Sequence, residues 1–186
     1  MIVAHPDDET IWVGGTLLSN MDNWDVTIIS LCRRDDEDRA PRFKKVCRAF
    51  KAKCFMSDLE DEKLNDIPVS EAVKRIKQHS EKDYDYIFTH GENGEYGHKR
   101  HKDVNKAVTK MLDEKVLSAK KVFFFSYKKE GKLCCANKKS NKFIYLKDIY
   151  FKKKKKIIQK LYGFNKNSVE DLYCGNTEAF KIKEAI

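Results

Sequence analysis

The chain has 186 residues, the length of one ordinary domain, and a folded chain of this length buries roughly two-thirds of the surface that its unfolded form exposes. We therefore expect a single domain over residues 1–186. The 38 basic and 29 acidic residues give a net charge of +9, and only seven of the basic residues are arginine. Because lysine is a hydrated point charge that rarely reads nucleic-acid sequence, we expect no nucleic-acid partner.

The six cysteines indicate neither a zinc ribbon nor a disulfide framework, because no two are spaced as Cys-x-x-Cys. A reducing compartment fits this usage best. The sequence opens without the basic and apolar regions of a secretory signal, and no run approaches the roughly 18 apolar residues of a membrane span. We expect a cytoplasmic protein without a transmembrane segment, and the sequence leaves a homo-oligomer open.

Short apolar runs rich in β-branched and aromatic residues predict strands. In chain order these runs are Met1–Ala4, Asp25–Leu31, Lys53–Met56, Asp83–Thr89 and Lys121–Ser126. Between them, apolar stripes at i, i+3, i+4 and i+7 predict amphipathic helices. The stripes lie within Phe43–Phe50, Val69–Ile76 and Val104–Leu112. Strands that alternate with helices predict a doubly wound α/β fold, in which a parallel sheet is covered on both faces.

The last third of the chain predicts a mixed C-terminal extension. Lys129–Lys142 is polar and predicts a loop, Phe143–Leu146 predicts a short strand, and Tyr150–Tyr162 predicts a lysine-rich helix. We interpret the run Lys152–Lys156 as a solvated helix face, with an anion-binding role as the alternative.

Two polar clusters directly follow predicted strands. His5-Pro6-Asp7-Asp8-Glu9 follows the first strand, and residues 90–101 follow the fourth. Ligands bind at the carboxyl ends of parallel strands, so the two clusters can meet at that edge of the sheet. The first cluster alone is ambiguous, because Asp7 or Asp8 could instead cap the helix that follows.

The second cluster favours a metal site. His98 and His101 share a face if they lie on a helical turn, and three glycines in the same segment let the backbone pass close to a bound group. Three His or carboxylate ligands leave an open water position, as in catalytic zinc sites. An adjacent free carboxylate can then accept the proton of the water. The spacing leaves open which of Asp7 and Asp8 is the ligand and which is the base.

The sequence resembles the LmbE-like, or PIG-L, family of zinc-dependent N-acetylglucosaminyl deacetylases. The resemblance rests on the segment Ala-His-Pro-Asp-Asp-Glu, the Gly-Gly pair after it and the later Tyr-Gly-His-x-x-His. The resemblance implies a Rossmann-like fold and a hydrolase in which metal-bound water attacks the amide carbonyl of a small N-acetylated amino sugar. It implies Zn²⁺ held by His5, Asp8 and His101, with Asp7 as the general base.

The resemblance also implies roles for four further residues. His98 matches the residue that stabilises the oxyanion or protonates the leaving amine, and Tyr96 matches the tyrosine that polarises the carbonyl. Arg39 and Asp61 match the sugar-contacting arginine and aspartate of the family. The alternatives are a surface or helix-start ion pair for Arg39 and a plain turn residue for Asp61.

The sequence departs from the family pattern beside His98. Many members read His-Pro-Asp-His where this chain has His98-Lys99-Arg100-His101, so Arg100 replaces the aspartate that would orient His98. Either Glu95 or another carboxylate takes that part, or His98 stays neutral and acts mainly as a hydrogen-bond donor.

Two other functions stay open at this stage. One is an amidase on the same scaffold that cleaves a non-sugar or thiol-conjugate amide. The other is a lysine-rich polyanion-binding module with a vestigial site. The metal is also open, because His and carboxylate ligands accept iron, cobalt or manganese as well as zinc.

Overall fold

The protein is described by a computed structural model covering residues 1–184. The strands are β1 (Ile2–Val3), β2 (Thr27–Ser30), β3 (Lys53–Met56), β4 (Asp83–Thr89), β5 (Ser118–Phe125), β6 (Tyr127–Glu130), β7 (Leu133–Ala136), β8 (Lys142–Tyr145) and β9 (Thr177–Glu184). The helices are α1 (Asp8–Asn20), α2 (Arg39–Ala49), α3 (Val69–Lys77), α4 (Gly94–Gly97), α5 (Lys99–Asp113), α6 (Asp148–Lys156) and α7 (Val169–Tyr173). A π-helical turn, Ile157–Leu161, continues α6.

Seven strands form one sheet in the order β3-β2-β1-β4-β5-β9-β8. The first five strands pair in parallel, whereas β9 pairs antiparallel with both β5 and β8. The strands β6 and β7 form a separate antiparallel hairpin. This arrangement confirms the predicted α/β class, a mostly parallel sheet with a mixed C-terminal extension.

Helices cover both faces of the sheet. Apolar side chains of α1, α2 and the π-helical turn pack on one face together with Val3, whereas those of α3 and α5 pack on the other face together with Ile2. Neighbouring residues of a strand point to opposite faces, so β1 contributes to both cores. Among the described residues, no helix combines the length and apolar character that a membrane span requires.

The prediction that Lys129–Lys142 forms a loop is wrong over much of the segment. Tyr127–Glu130 and Leu133–Ala136 pair as a hairpin, and Gly131, with φ +62, lies in the connecting turn. The exposed lysines of β6 hid this hairpin, because a small two-stranded sheet leaves one face in solvent and shows no apolar run. The strand β9 was also absent from the prediction, although Phe180 and Ile182 alternate with polar residues there.

The lysine run is only partly a solvated face. Lys152, Lys153 and Lys156 are exposed, but the side chain of Lys154 is fully buried, and its Nζ lies 2.8 Å from Oε1 of the equally buried Glu178. Helical spacing places Lys154 on the same side as the buried Ile157 and Ile158. The prediction is therefore wrong for this one lysine.

The strand order reverses beside β1. The chain moves from β1 to β2 and β3 on one side, and then crosses to β4 and β5 on the other. In open α/β sheets a crevice forms at such a switch point, beyond the carboxyl ends of the strands. The segments after β1 and β4, which carry both polar clusters, meet there.

Candidate active site

The turn between β1 and α1 holds Asp7 in an unusual backbone conformation, with φ 120 and ψ −29. Its N–H donates to Glu9 Oε2 at 3.0 Å, and its carbonyl accepts from the N–H groups of Thr10 and Ile11. Such a conformation costs on the order of 1–3 kcal/mol for a residue other than glycine. Asp7 occupies the N-cap position of α1, but the alternative that its side chain caps the helix is wrong, because this side chain makes no capping hydrogen bond and lines the crevice instead.

The donor atoms of His5, Asp8 and His101 converge at the switch point. Nδ1 of His5 lies 3.1 Å from Nε2 of His101. The Asp8 carboxylate reaches both rings, with Oδ2 3.4 Å from His5 Nδ1 and Oδ1 3.4 Å from His101 Nε2. Ligand atoms about 2.0–2.1 Å from a tetrahedral zinc ion are about 3.3 Å apart. The three side chains therefore fit the corners of such a site.

Carboxylates behind the two imidazoles orient their nitrogens. His5 Nε2 lies 3.0 Å from Asp61 Oδ1, and His101 Nδ1 lies 2.6 Å from Glu95 Oε2. When each ring donates its N–H to its carboxylate, the lone pairs of His5 Nδ1 and His101 Nε2 both point into the same space. Metal-binding histidines are held in this way by outer carboxylates.

With the rings in this orientation, the two nitrogens lie 3.1 Å apart and can share one cation between them. Burial lowers the pKa of His5, but hydrogen bonds to Asp61 and Asp8 outweigh burial and raise it to about 10. Burial also raises the pKa of Asp8, yet the imidazoles of His101, His90 and His5 hold it well below its usual range. Asp8 is thus a carboxylate anion.

His90, which sequence reasoning missed as a site residue, supports the ligands from the end of β4. Its Nε2 accepts the N–H of Ala4 at 2.9 Å, and its Nδ1 donates to Glu95 Oε2 at 2.8 Å.

Three groups of side chains place possible ligand atoms within 4.8 Å of one another: His5, His98 and His101; His5, Cys32 and Asp61; and Asp8, His90 and His101. Because both ring nitrogens of His90 are occupied, we assign it to orienting Glu95. Its position after β4, matching that of His5 after β1, was the available signal.

Asp7 lies beside this donor set and pairs with Arg39. Oδ2 of Asp7 is 2.9 Å from a guanidinium nitrogen of Arg39, which begins α2 and also lies 4.5 Å from the ring centre of Phe164. Burial and the charge of Asp8 raise the pKa of Asp7 well above its usual value, against the opposing charge of Arg39. A carboxylate with a raised pKa is a stronger base.

His98 is a neutral hydrogen-bond donor in this geometry. It precedes α5, and its Nδ1 accepts the backbone N–H of Arg100 at 3.3 Å, which leaves Nε2–H for the crevice. Burial and the neighbouring His101 and His5 lower the pKa of His98 to about 4. The Arg100 guanidinium points away, toward Glu60 and Asp103.

The alternative in which Glu95 orients His98 is wrong. One carboxylate oxygen of Glu95 binds His90 and His101, and the other accepts the N–H of Gly91 at 2.7 Å. Gly91 is a close-approach position, but toward protein and not toward a ligand, since a Cβ there would lie 2.2 Å from the carbonyl oxygen of Phe125. The glycine thus allows the β4 segment to pass β5.

Tyr96 and Asp61 occupy different parts of the site. The Tyr96 ring lies 5.7 Å from that of His98 and 5.3 Å from that of His101, and burial raises the pKa of its phenol, which remains a donor. The two oxygens of Asp61 contact His5 and Arg33 respectively. Asp61 is therefore more than a turn residue, because it holds the His5 ring.

A crevice of about 270 Å³ opens in front of these groups. It is lined by His5, Pro6, Asp7, Asp8, Ile11, Trp12, Arg33, Asp36, Arg39, Asp61, Tyr96, His98, Val169, Glu170 and Tyr173. Seven of the eight predicted site residues are in this lining, and His101 lies buried behind it. The last three lining residues come from α7, and no motif in the sequence signalled them.

Comparisons with known proteins concern the family and the fold of the chain. The model of the family described as PIG-L, GlcNAc-PI de-N-acetylase, matches residues 1–112. The crystal structure of the conserved protein TT1542 from Thermus thermophilus is similar, with a TM-score of 0.66 and 16% identity over 100% of this chain and 94% of that one. No curated protein sequence matches the chain. At 16% identity the structural likeness shows the fold alone, whereas the family match covers more than half of the chain and includes every predicted site residue.

Proposed function

The chain belongs to the PIG-L family of GlcNAc-PI de-N-acetylases, and on that premise we propose that it is a zinc-dependent hydrolase that removes the acetyl group from an N-acetylated amino sugar. The observation that carries the proposal is the convergence of His5, Asp8 and His101, whose donor atoms lie 3.1 to 3.4 Å apart. Two neutral imidazoles and one carboxylate are the donor types of catalytic zinc sites.

Zinc bound to these three residues would lower the pKa of water and polarise a carbonyl oxygen. The protein supplies the remaining groups. Asp61 and Glu95 fix the imidazoles in the orientation that frees one nitrogen of each for the metal. Trp12 donates its indole N–H to Asp8 Oδ1 at 2.9 Å and so orients the carboxylate.

Asp7 is the general base. Its raised pKa favours proton uptake, and the ion pair with Arg39 holds the carboxylate at the edge of the donor set. As the water oxygen bonds to the acetyl carbon, its proton passes to Asp7 and the carbonyl oxygen becomes an oxyanion.

His98 Nε2–H and the Tyr96 phenol are the donors available to that oxyanion. Since His98 is neutral, it has no extra proton to give to the leaving amine. Asp7 therefore returns the proton that it took from water. When the carbon–nitrogen bond breaks, the nitrogen takes this proton, and the products are acetate and a free amine.

The lining of the crevice supports a polar substrate. Arg33, Asp36, Arg39 and Glu170 present charged groups there, and such side chains form hydrogen bonds with the hydroxyl groups of a sugar. Arg39 lines the crevice beside Asp7, which supports its proposed contact with a sugar. Asp61 remains a predicted sugar contact, although both of its oxygens already have protein partners.

The test combines metal analysis with a substrate panel. Purified protein should contain zinc and release acetate from at least one N-acetylglucosamine derivative. Asp7→Asn should keep its zinc but lose on the order of 10²- to 10⁴-fold in kcat, the usual contribution of a general base. Glu37→Gln, an equal change at an exposed position, is the control and should be fully active. Unchanged activity in Asp7→Asn would overturn the assigned base, whereas cleavage confined to non-sugar amides would overturn the substrate class.

A further inference from the structure

One surface of the C-terminal segment carries exposed lysines in a regular row. Five exposed residues of α6 and the π-helical turn form this lysine stripe, at Ile149, Lys152, Lys153, Lys156 and Lys160. Their spacing of three or four residues places them on one side, opposite the buried Lys154, Ile157 and Ile158.

Within the described residues, the lysines of the stripe have no acidic side chain as an ion-pair partner. Within residues 1–184, none of its four lysines forms an ion pair, whereas Lys154 and Lys155 pair with Glu178 and Asp171. Lysines four apart on a helix repel each other and destabilise it. The row is therefore unfavourable for the isolated protein and becomes favourable against an anionic surface.

Basic charge is concentrated around the stripe. Residues 127–166 contain 14 lysines, no arginine, one glutamate and one aspartate, which gives 14 − 2 = +12. The whole chain carries +9, so all other residues together carry 9 − 12 = −3. Residues 127–166 thus hold the entire excess of positive charge, and attraction to an anionic partner acts mainly on this segment.

Large apolar side chains are exposed where the stripe begins. Tyr145 is 78% exposed and Ile149 is 57% exposed, and the exposed Lys147 lies between them in sequence. Apolar and aromatic side chains beside a row of lysines are typical of protein surfaces that lie in the interface of a lipid bilayer.

We propose that the lysine stripe, with Tyr145 and Lys147, docks the protein on an anionic phospholipid bilayer. Lysine suits the diffuse negative potential of such a membrane. Recognition of nucleic acid favours arginine, which binds phosphate in a bidentate manner, and residues 127–166 contain none. The exposed side chain of Ile149 can also insert into lipid, whereas it has no aromatic ring on which a nucleic-acid base could stack. The proposal is independent of the proposed activity.

Vesicle sedimentation at low salt tests the docking surface. The full chain should bind vesicles of phosphatidylcholine with one-third phosphatidylglycerol, should not bind pure phosphatidylcholine, and should dissociate as salt is raised. The triple variant K152Q/K153Q/K156Q should bind on the order of 100-fold more weakly, since each lysine contributes about fivefold near an anionic bilayer. The double variant Y145S/I149S should weaken the binding that survives moderate salt.

The matched control removes the same charge from the other face of the sheet. K74Q/K77Q/K106Q changes three exposed lysines of α3 and α5 and should bind within about twofold of the parent, because its lysines face away from the bilayer. Circular dichroism melting establishes that every variant is folded. Equal losses in the two triple variants would show that only net charge matters and would overturn the proposal. Absence of vesicle binding by the parent would overturn it too, as would stripe-dependent binding to single-stranded RNA without binding to vesicles.

Discussion

Two clusters of buried polar side chains contact helix α1 and have opposite properties. At its N-terminal end lies the ligand cluster, formed by His5, Asp8 and His101. Against its middle lies the ion-pair cluster, formed by Lys154 and Glu178. In the ion-pair cluster every charge has a partner, since Glu178 accepts from Lys154, from Thr16 Oγ1 and from two backbone N–H groups of α1. In the ligand cluster Nδ1 of His5 and Nε2 of His101 face each other at 3.1 Å, and the carboxylates behind the rings can orient both nitrogens as metal ligands.

This difference indicates that the ion-pair cluster stabilises the fold, whereas the ligand cluster can bind a cation. A buried cluster that satisfies its own hydrogen bonds has nothing left for a ligand and contributes to the specific packing of the fold. A buried cluster with converging lone pairs is complete only when a cation joins it.

Glu178→Gln should destabilise the protein without affecting the metal. The amide can still accept hydrogen bonds from α1, but Lys154 becomes a buried charge without its partner, which costs about 3–5 kcal/mol of unfolding free energy. Urea denaturation measures the loss. The control is Asp25→Asn, which breaks the exposed pair of Asp25 with Lys53 and should cost less than about 1 kcal/mol. Equal losses in both variants would contradict the assigned role of the ion-pair cluster.

Asp61→Asn should weaken metal binding. The change removes the carboxylate behind His5, and loss of such an outer partner typically lowers metal affinity about 10- to 100-fold. Competition with a chelator gives the affinity. Asp58→Asn lies in the same segment, where Asp58 pairs with Arg34 and Arg75 at the surface, and should bind metal like the parent. An Asp61→Asn protein with parental affinity would show that His5 needs no such support.

Tyr162→Phe should lower kcat by roughly three- to tenfold. The Tyr162 hydroxyl donates to Glu9 Oε1 at 2.8 Å, and Glu9 in turn accepts the N–H of Asp7. Without this hydroxyl the turn that aims Asp7 loosens, whereas KM should stay unchanged. Tyr127→Phe is the control, because Tyr127 is equally buried and its hydroxyl contacts only backbone atoms. Both variants should lose about 1 kcal/mol of stability, and similar kcat losses would contradict the positioning role.

His98→Gln should lower kcat by the same factor at every pH from about 6 to 9. The pKa of His98 is lowered to about 4, so its imidazole loses its extra proton as the pH rises through that value and stays neutral above it. A neutral ring adds no ionisation to the profile. If the alkaline limb of the parent disappeared in the variant, His98 would be a protonated acid and the account of Asp7 as proton donor would be wrong.

The sequence predicted the fold class, and seven of the eight predicted site residues line one crevice, because strand periodicity and the two motifs are local. The ligand cluster follows from two segments that each end a strand. Only the resemblance separated Asp7 from Asp8, and that division stays a prediction.

The sequence could not predict contacts between residues that lie far apart along the chain. Glu178 binds the N–H of Gly15 across 163 positions, and no local pattern distinguishes Lys154 from the lysines beside it. The support of His101 by Glu95 depends on how the α4 segment folds, where Glu95 itself takes φ 57. The contribution of α7 to the crevice likewise arises from packing, because its short sequence carries no motif.

If His5, Asp8 and His101 form the metal site, the loss of one imidazole in His5→Gln should abolish zinc binding. Atomic absorption should find about one zinc ion per chain in the parent and none in this variant after dialysis, since two protein ligands hold zinc poorly. A His5→Gln protein that folds and keeps its zinc would contradict the account, and it would indicate that Asp8, His90 and His101 hold the metal instead.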